Sequence, residues 1–226
     1  MHDGGFVMSP ILNKANTFNG QSIMEEIFNA ISHGLGALLA VAGMTILIIH
    51  SYYSPTPMSM ISSILYGSSL VVLYSCSTLY HAVTSRKAKA IFQIIDHCSI
   101  FLLIWGTYVP VALSLVGGMR GWILFGVQTL CTVVGIIMNA IDFKRWKKVS
   151  LVLYLVMGWC VVFNGKEVLS LIDKTGLLLV LGGGIAYTVG VYFYAHKTRL
   201  FSHFVWHIFV LAGSVLQFFF VLGSCV

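Results

Sequence analysis

Apolar residues in this chain come in long uncharged runs, and the ionisable residues collect at the ends of those runs. Residues 27–85 contain no Asp, Glu, Lys or Arg, and that is far more than the roughly 20 residues one membrane helix needs. The turn chemistry of Ser54-Pro55-Thr56-Pro57 interrupts the run, so two helices are predicted there. Further uncharged runs cover residues 97–119, 121–141, 149–165, 175–196 and 200–226. Each is at or near the length of one crossing, and the gaps are short. The pattern predicts an all-α membrane protein of seven transmembrane helices, with residues 1–24 as an N-terminal cytoplasmic segment and residues 25–226 as one seven-helix domain. No internal repeat or low-complexity tract divides it.

Composition leaves little room for another class. Hydrophobic residues make up 58% of the 226 and charged residues 9%, against about 25% charged in a soluble domain. So little charge cannot cover a water-facing globule, and the mean hydropathy of +0.91 agrees. Disorder, a disulfide-stapled secreted domain, collagen and a coiled coil are excluded on the same ground.

The placement of the Lys and Arg residues predicts orientation. With a cytoplasmic N-terminus, the inside segments hold Lys14, then Arg86, Lys87 and Lys89, then Lys144, Arg145, Lys147 and Lys148, then Lys197 and Arg199. Only Arg120, Lys166 and Lys174 fall outside. The positive-inside rule therefore predicts N-terminus in and C-terminus out. A pI near 9.1 then needs no nucleic-acid partner, because juxtamembrane basic residues meet anionic membrane lipids. The first 26 residues do not read as a signal peptide. Cys76, Cys98, Cys131, Cys160 and Cys225 lie in apolar runs without a Cys-x-x-Cys pair and read as small core residues.

Ionisable side chains inside a bilayer are costly unless paired or solvated, so they mark function. Glu25, Glu26 and His33 fall at the start of the first predicted helix and His50 near its end. His81 ends the second, Asp96 and His97 open the third, and His203 and His207 open the seventh. In the predicted topology all but His50 share one depth, near the cytoplasmic face.

His203-Phe-Val-Trp-His207 places two imidazoles four residues apart on one helical face, where both can reach one metal ion. Two interfacial histidines bonded to lipid head groups would have the same spacing. Ser77-Thr-Leu-Tyr-His81 repeats the spacing, and His81 offers a third nitrogen that would leave a fourth tetrahedral position open for catalysis. Ser77 can serve a developing oxyanion, or simply satisfy its own helix. Asp96 can act as general base and acid at such a site, or be a helix-start aspartate or a partner for Arg86, Lys87 or Lys89. His97 points about 100° away from Asp96 and is expected to pack or hydrogen-bond. Ser22 and Glu25 form a capping-box pattern, and Glu26, Asn29 and His33 form a polar stripe that can either surround a metal site or join helices.

These motifs together resemble the bacterial hemolysin III proteins, within the progestin and adipoQ receptor family and the wider superfamily that includes alkaline ceramidases. The resemblance runs through Glu26-x-x-Asn29-x-x-Ser32-His33-Gly34, Ser77-x-x-x-His81, Asp96-His97 and Gly106-Thr107-Tyr108-x-Pro110. It continues through Tyr154-x-x-Met157-Gly158-Trp159, Gly183-Gly184-x-x-Tyr187 and Phe201-x-His203-x-x-Trp206-His207 followed by Gly213-Ser214. It implies Zn2+ held by His81, His203 and His207 near the cytoplasmic side, with Asp96 beside the zinc-activated water and Ser77 nearby. It also implies a multi-pass protein of a bacterial plasma (inner) membrane whose partners are membrane lipids. Two functions are expected from this position: a zinc-dependent hydrolase of lipid amide or ester bonds linked to membrane-lipid homeostasis, or a non-enzymatic sensor or pore-forming cytolysin with a structural zinc. Polar groups gathered at one end, rather than along a stripe, count against the pore.

Overall fold

The computed structural model describes residues 20–196 and 200–226, so Lys14, Lys197 and Arg199 lie outside the described residues, as does most of the predicted N-terminal segment. The chain forms α1 (Ile23–Tyr52), α2 (Ser59–Ala82), α3 (Arg86–Val109), α4 (Gly118–Gly158), the short α5 (Gly165–Leu171), α6 (Lys174–Ala195) and α7 (Ser202–Ser224). No strand occurs among the described residues. Six of these helical stretches are long and apolar enough to cross a membrane.

Local chemistry sets their ends. The Ser22 side chain accepts from Glu25 N while the Glu25 carboxylate accepts from Ser22 N at 2.8 Å, so the capping box starts α1. Pro55 and Pro57 fall in the α1–α2 connection, where their fixed φ and missing N–H suit a turn. At the far end of α3, Pro110 opens a wide π-helical turn, Pro110–Val116. It closes at Gly117, whose φ of 61° suits glycine and whose N–H bonds Ala112 O at 2.9 Å.

One expectation is overturned here. Asp96 and His97 do not open the third helix, because α3 begins ten residues earlier at Arg86 and carries Asp96 nearly three turns inside. Charges end an uncharged run, but they do not end a helix: Arg86, Lys87 and Lys89 are good helix formers in its first turn. The helix dipole acts within that first turn, so it gives no reason for an aspartate at position 96.

The helix α4 is not one rod. Asp142 is extended (φ −154°, ψ 86°) between two limbs, residues 118–141 and 143–158. Its Oδ1 accepts from Arg145 N at 3.0 Å, as a helix N-cap does, and so restarts the second limb at once. The basic run from Lys144 to Lys148 is therefore helical rather than loop. Gln128 and Met157 are 29 residues apart, about 43 Å on a straight helix. Yet Gln128 Nε2 donates to Met157 O at 3.1 Å, and Ser150 Oγ to Asn139 Oδ1 at 2.7 Å. The two limbs fold back on each other.

Helix α1 packs on α2, α2 on α3, α3 on α4 and α6 on α7, and α7 returns to α1 to close the bundle. The bundle is apolar outside and small or polar inside. Leu38 is 70% exposed on α1 while Asn29 on the same helix is fully buried, an arrangement that needs hydrocarbon as the solvent. In lipid, helix association rests on close packing rather than on the hydrophobic effect. A Cβ at Gly106 would sit 2.1 Å from Ser69 Oγ, and one at Gly36 would sit 2.6 Å from the Tyr74 ring, so these two glycines admit α2 to α3 and to α1.

Candidate metal centre

Three helix ends meet at one end of the bundle: the start of α1, the last turn of α2 and the start of α7. The i, i+4 spacing on α7 delivers His203 and His207, and the last turn of α2 delivers His81. All three are buried, and their ligand atoms lie within 4.8 Å of one another. This triple-histidine group can hold a metal ion.

The surroundings of each ring fit that role. Glu26 Oε2 lies 2.6 Å from His81 Nδ1, so a carboxylate orients the ring through that nitrogen and leaves Nε2 for a metal. Ser32 Oγ lies 3.5 Å from His207 Nδ1. His33 stacks on His207 with centroids 3.6 Å apart and meets the edge of Tyr74 at 5.0 Å. A set of nitrogen donors without an oxygen cage suits a transition ion rather than Mg2+ or Ca2+.

The remaining candidates divide. Asp96 is buried but outside the group of three. Its carboxylate lies within electrostatic range of Cys76, the neighbour of Ser77, and of Tyr194 on α6, while Lys89, one of its suggested partners, pairs with Glu26 instead at 3.1 Å. Ser77 is buried one turn before His81. His97 packs and bonds away from the group: its Nε2 lies 3.0 Å from the Tyr194 hydroxyl and its Nδ1 2.8 Å from Gln93 O. In the α1 stripe, Glu26 and His33 reach the histidines, whereas Asn29 Nδ2 donates to Gln21 Oε1 at 3.0 Å.

The contacts that Glu25, Lys89 and Tyr194 make between helices escape a sequence reading. Beyond its capping box, Glu25 accepts from Phe201 N at 2.7 Å, and so holds the left-handed residue (φ 62°) that leads into α7. Lys89 looks like a loop cation but is 5% exposed. Tyr194 stands 6.0 Å from His203, centroid to centroid, and under Lys147 Nζ at 5.5 Å. No spacing rule along one helix signals any of these contacts.

Deeper in the bundle, an apolar cavity lies between α3, the second limb of α4, α6 and α7. Leu73, Tyr154 and Trp206 line its near end, and Val180, Tyr187 and Gln217 lie further along. Leu73 is one turn from Ser77, and Trp206 stands 5.5 Å from Tyr194, so the cavity begins where the histidine end stops.

The chain is similar to known proteins over most of its length. It is 39% identical to Hemolysin-3 of Bacillus cereus over 202 residues, covering 89% of this chain and 92% of that protein. It is 40% identical to the Hemolysin-3 homolog of Bacillus subtilis (strain 168) over 205 residues, covering 91% and 96%. The human monocyte to macrophage differentiation factor is 26% identical over 206 residues, covering 86% and 82%. The sequence model described as Haemolysin-III related matches residues 21–218, from the capping box of α1 to the cavity-lining end of α7. This multi-pass helical membrane protein, with its triple-histidine group at one end, belongs to the haemolysin-III related family.

Proposed function

We propose that the chain is a zinc-dependent hydrolase of lipid amide or ester bonds, acting in membrane-lipid homeostasis from a bacterial plasma membrane. The observation that carries this reading is the buried triple-histidine group with an apolar cavity beginning beyond it, at Leu73 and Trp206. Three protein ligands leave a coordination position for chemistry, whereas a purely structural zinc has four. A cavity walled by apolar side chains at membrane depth takes an acyl chain, not a soluble substrate.

Counting the two limbs of α4 separately gives seven crossings, which leave the two termini on opposite sides, and the positive-inside rule supports a cytoplasmic N-terminus and an external C-terminus. Arg86 to Lys89 and Lys144 to Lys148 then share the cytoplasmic end with the histidines, while Arg120, Lys166 and Lys174 take the other.

Bound by His81, His203 and His207, zinc would supply Lewis-acid polarisation of a carbonyl and a water activated near neutral pH. The protein's own groups do the rest. Asp96 takes a proton from the attacking water and delivers it to the leaving nitrogen or oxygen. Ser77 offers a hydroxyl to the carbonyl oxygen as charge develops there. His33 and Glu26 keep His207 and His81 in orientation.

The test is metal analysis of the purified protein together with mass spectrometry of lipid products, for wild type and Asp96→Asn. Zinc near one per chain, with products lost in the variant, supports the hydrolase. The name of the Bacillus cereus relative favours a second reading, in which a cytolysin or sensor uses the metal only to join helices. Full function in Asp96→Asn together with loss in His207→Ala would select it.

A further inference from the structure

Lys89 is a buried cation with a defined set of partners. From the first turn of α3 its Nζ reaches across to the end of α2, donating to Tyr80 O at 3.1 Å, Val83 O at 3.3 Å and His81 O at 3.4 Å. Those carbonyls form the negative end of α2, where a cation is favoured. The same Nζ lies 3.1 Å from Glu26 Oε1, and the other oxygen of that carboxylate, Oε2, lies 2.6 Å from His81 Nδ1.

Each link constrains the next. A carboxylate only accepts hydrogen bonds, so the short contact to Glu26 places the proton of a neutral His81 on Nδ1 and leaves the lone pair on Nε2. Glu26 can do this only while it is ionised and held, and an ionised carboxylate this deep is costly without a partner. Lys89 is that partner, and the three carbonyls of α2 fix where its charge sits. The anchor is on the same helix end as His81, so the lysine ties the carboxylate on α1 to the ring it serves.

We propose that Lys89 is a positioning residue of the metal centre: by holding Glu26 against His81 Nδ1, it selects the His81 tautomer that presents Nε2 to the metal. This rests on the reading that His81, His203 and His207 bind zinc. A lysine that merely caps α2 would affect stability and leave the metal alone.

The experiment uses the full chain in detergent, with Zn2+ as the probe. Zinc affinity is measured by competition with a chelating dye for wild type, Lys89→Met, Lys89→Arg, Glu26→Gln and the Lys89→Met/Glu26→Gln double variant. Removing an outer hydrogen-bond partner of a metal-bound histidine typically costs about 10- to 100-fold in affinity. Lys89→Met and Glu26→Gln are each expected to weaken Zn2+ binding by at least about tenfold, Lys89→Arg to restore most of it, and the double variant to bind no worse than Glu26→Gln alone. Wild-type affinity in folded Lys89→Met, or losses that multiply in the double variant, overturns the proposal. Nitrogen NMR of the metal-free, histidine-labelled wild-type protein gives a readout that needs no variant. A proton on Nδ1 of His81 is expected, and a proton on Nε2 overturns the proposal. Failure of the wild type to bind Zn2+ would instead strike the hydrolase reading, and comparing the His81 tautomer of the metal-free wild type with that of Lys89→Met would still decide the role of Lys89: an unchanged Nδ1 proton in the variant overturns the proposal.

Discussion

Both ends of the bundle are polar, but they are polar in different ways. At the end holding the histidines, the buried groups are Glu25, Glu26, Lys89, Asp96 and five imidazoles counting His33 and His97. At the other end the buried and half-buried groups are neutral hydroxyls: Ser54 Oγ and Ser59 Oγ lie 2.9 Å apart, Ser51 Oγ donates to Ser59 O at 3.2 Å, and Ser114 Oγ donates to Ser62 Oγ at 2.8 Å. Serine is small, lets backbones approach and satisfies itself locally, so the hydroxyl end needs no reason beyond helix packing. Carboxylates, a lysine and clustered imidazoles are expensive in a bilayer, and a bundle that needed only packing has a cheaper choice at its opposite end. The contrast, more than either end alone, marks the histidine end as the working one.

Asp96→Asn should break the comparison most severely. It is expected to lose roughly two to four orders of magnitude in lipid hydrolysis while keeping fold and zinc, the usual worth of a positioned acid–base group. The measurement is product formation at matched metal content. Next in size, His81→Ala, His203→Ala and His207→Ala should each cut zinc content by at least about tenfold at limiting zinc. Each should also lower the melting temperature in zinc-containing buffer, because bound metal stabilises the folded state by mass action. Chelator treatment of the wild type should lower its melting temperature in the same way, and a wild type indifferent to chelator would contradict the metal site. The smallest effect belongs to the hydroxyl end. Ser114→Ala should cost about 0.6 kcal/mol, the average for a hydrogen bond between membrane helices, and leave metal content and activity as they were. A collapse of zinc binding in Ser114→Ala would erase the distinction between the two ends. Reporter fusions after Lys148 and at the C-terminus sharpen the orientation, with cytoplasmic and external signals expected in turn.

What the sequence shows depends on how far apart the cooperating residues lie. Features carried by one helix were legible: the capping box of Ser22 and Glu25, the uncharged run broken by Pro55 and Pro57, and the four-residue spacings that bring Ser77 next to His81 and His203 next to His207. The common depth of His81, His203 and His207 was legible too, because loop charges assign each helix a direction. Contacts between helices were not. Nothing along α1 or α3 says that Glu26 faces Lys89 rather than leaving it to Asp96, and nothing along α6 says that Tyr194 reaches His97. The start of α3 was misplaced because the first turn of a membrane helix readily carries lysine and arginine, whose long stems reach water from within the helix. The cavity left no local trace, since its walls are drawn from five α-helices, α2, α3, α4, α6 and α7, and the turns between them.

The turn at Asp142 makes the second limb of α4 sensitive to counting. One extended residue separates the limbs, so the rotation of the second about its own axis is set there with no linker to absorb an error. Inserting a single residue after Asp142 would turn that limb by about 100° and advance it by about 1.5 Å. Tyr154 and Met157, now buried against α3 and the first limb, would swing toward the lipid, and exposed Val152 and Val156 would move off it. Tyr154 would also lose its hydrogen bond to His97 O, so a change in loop length, usually the most tolerated of edits, would here misalign one wall of the cavity.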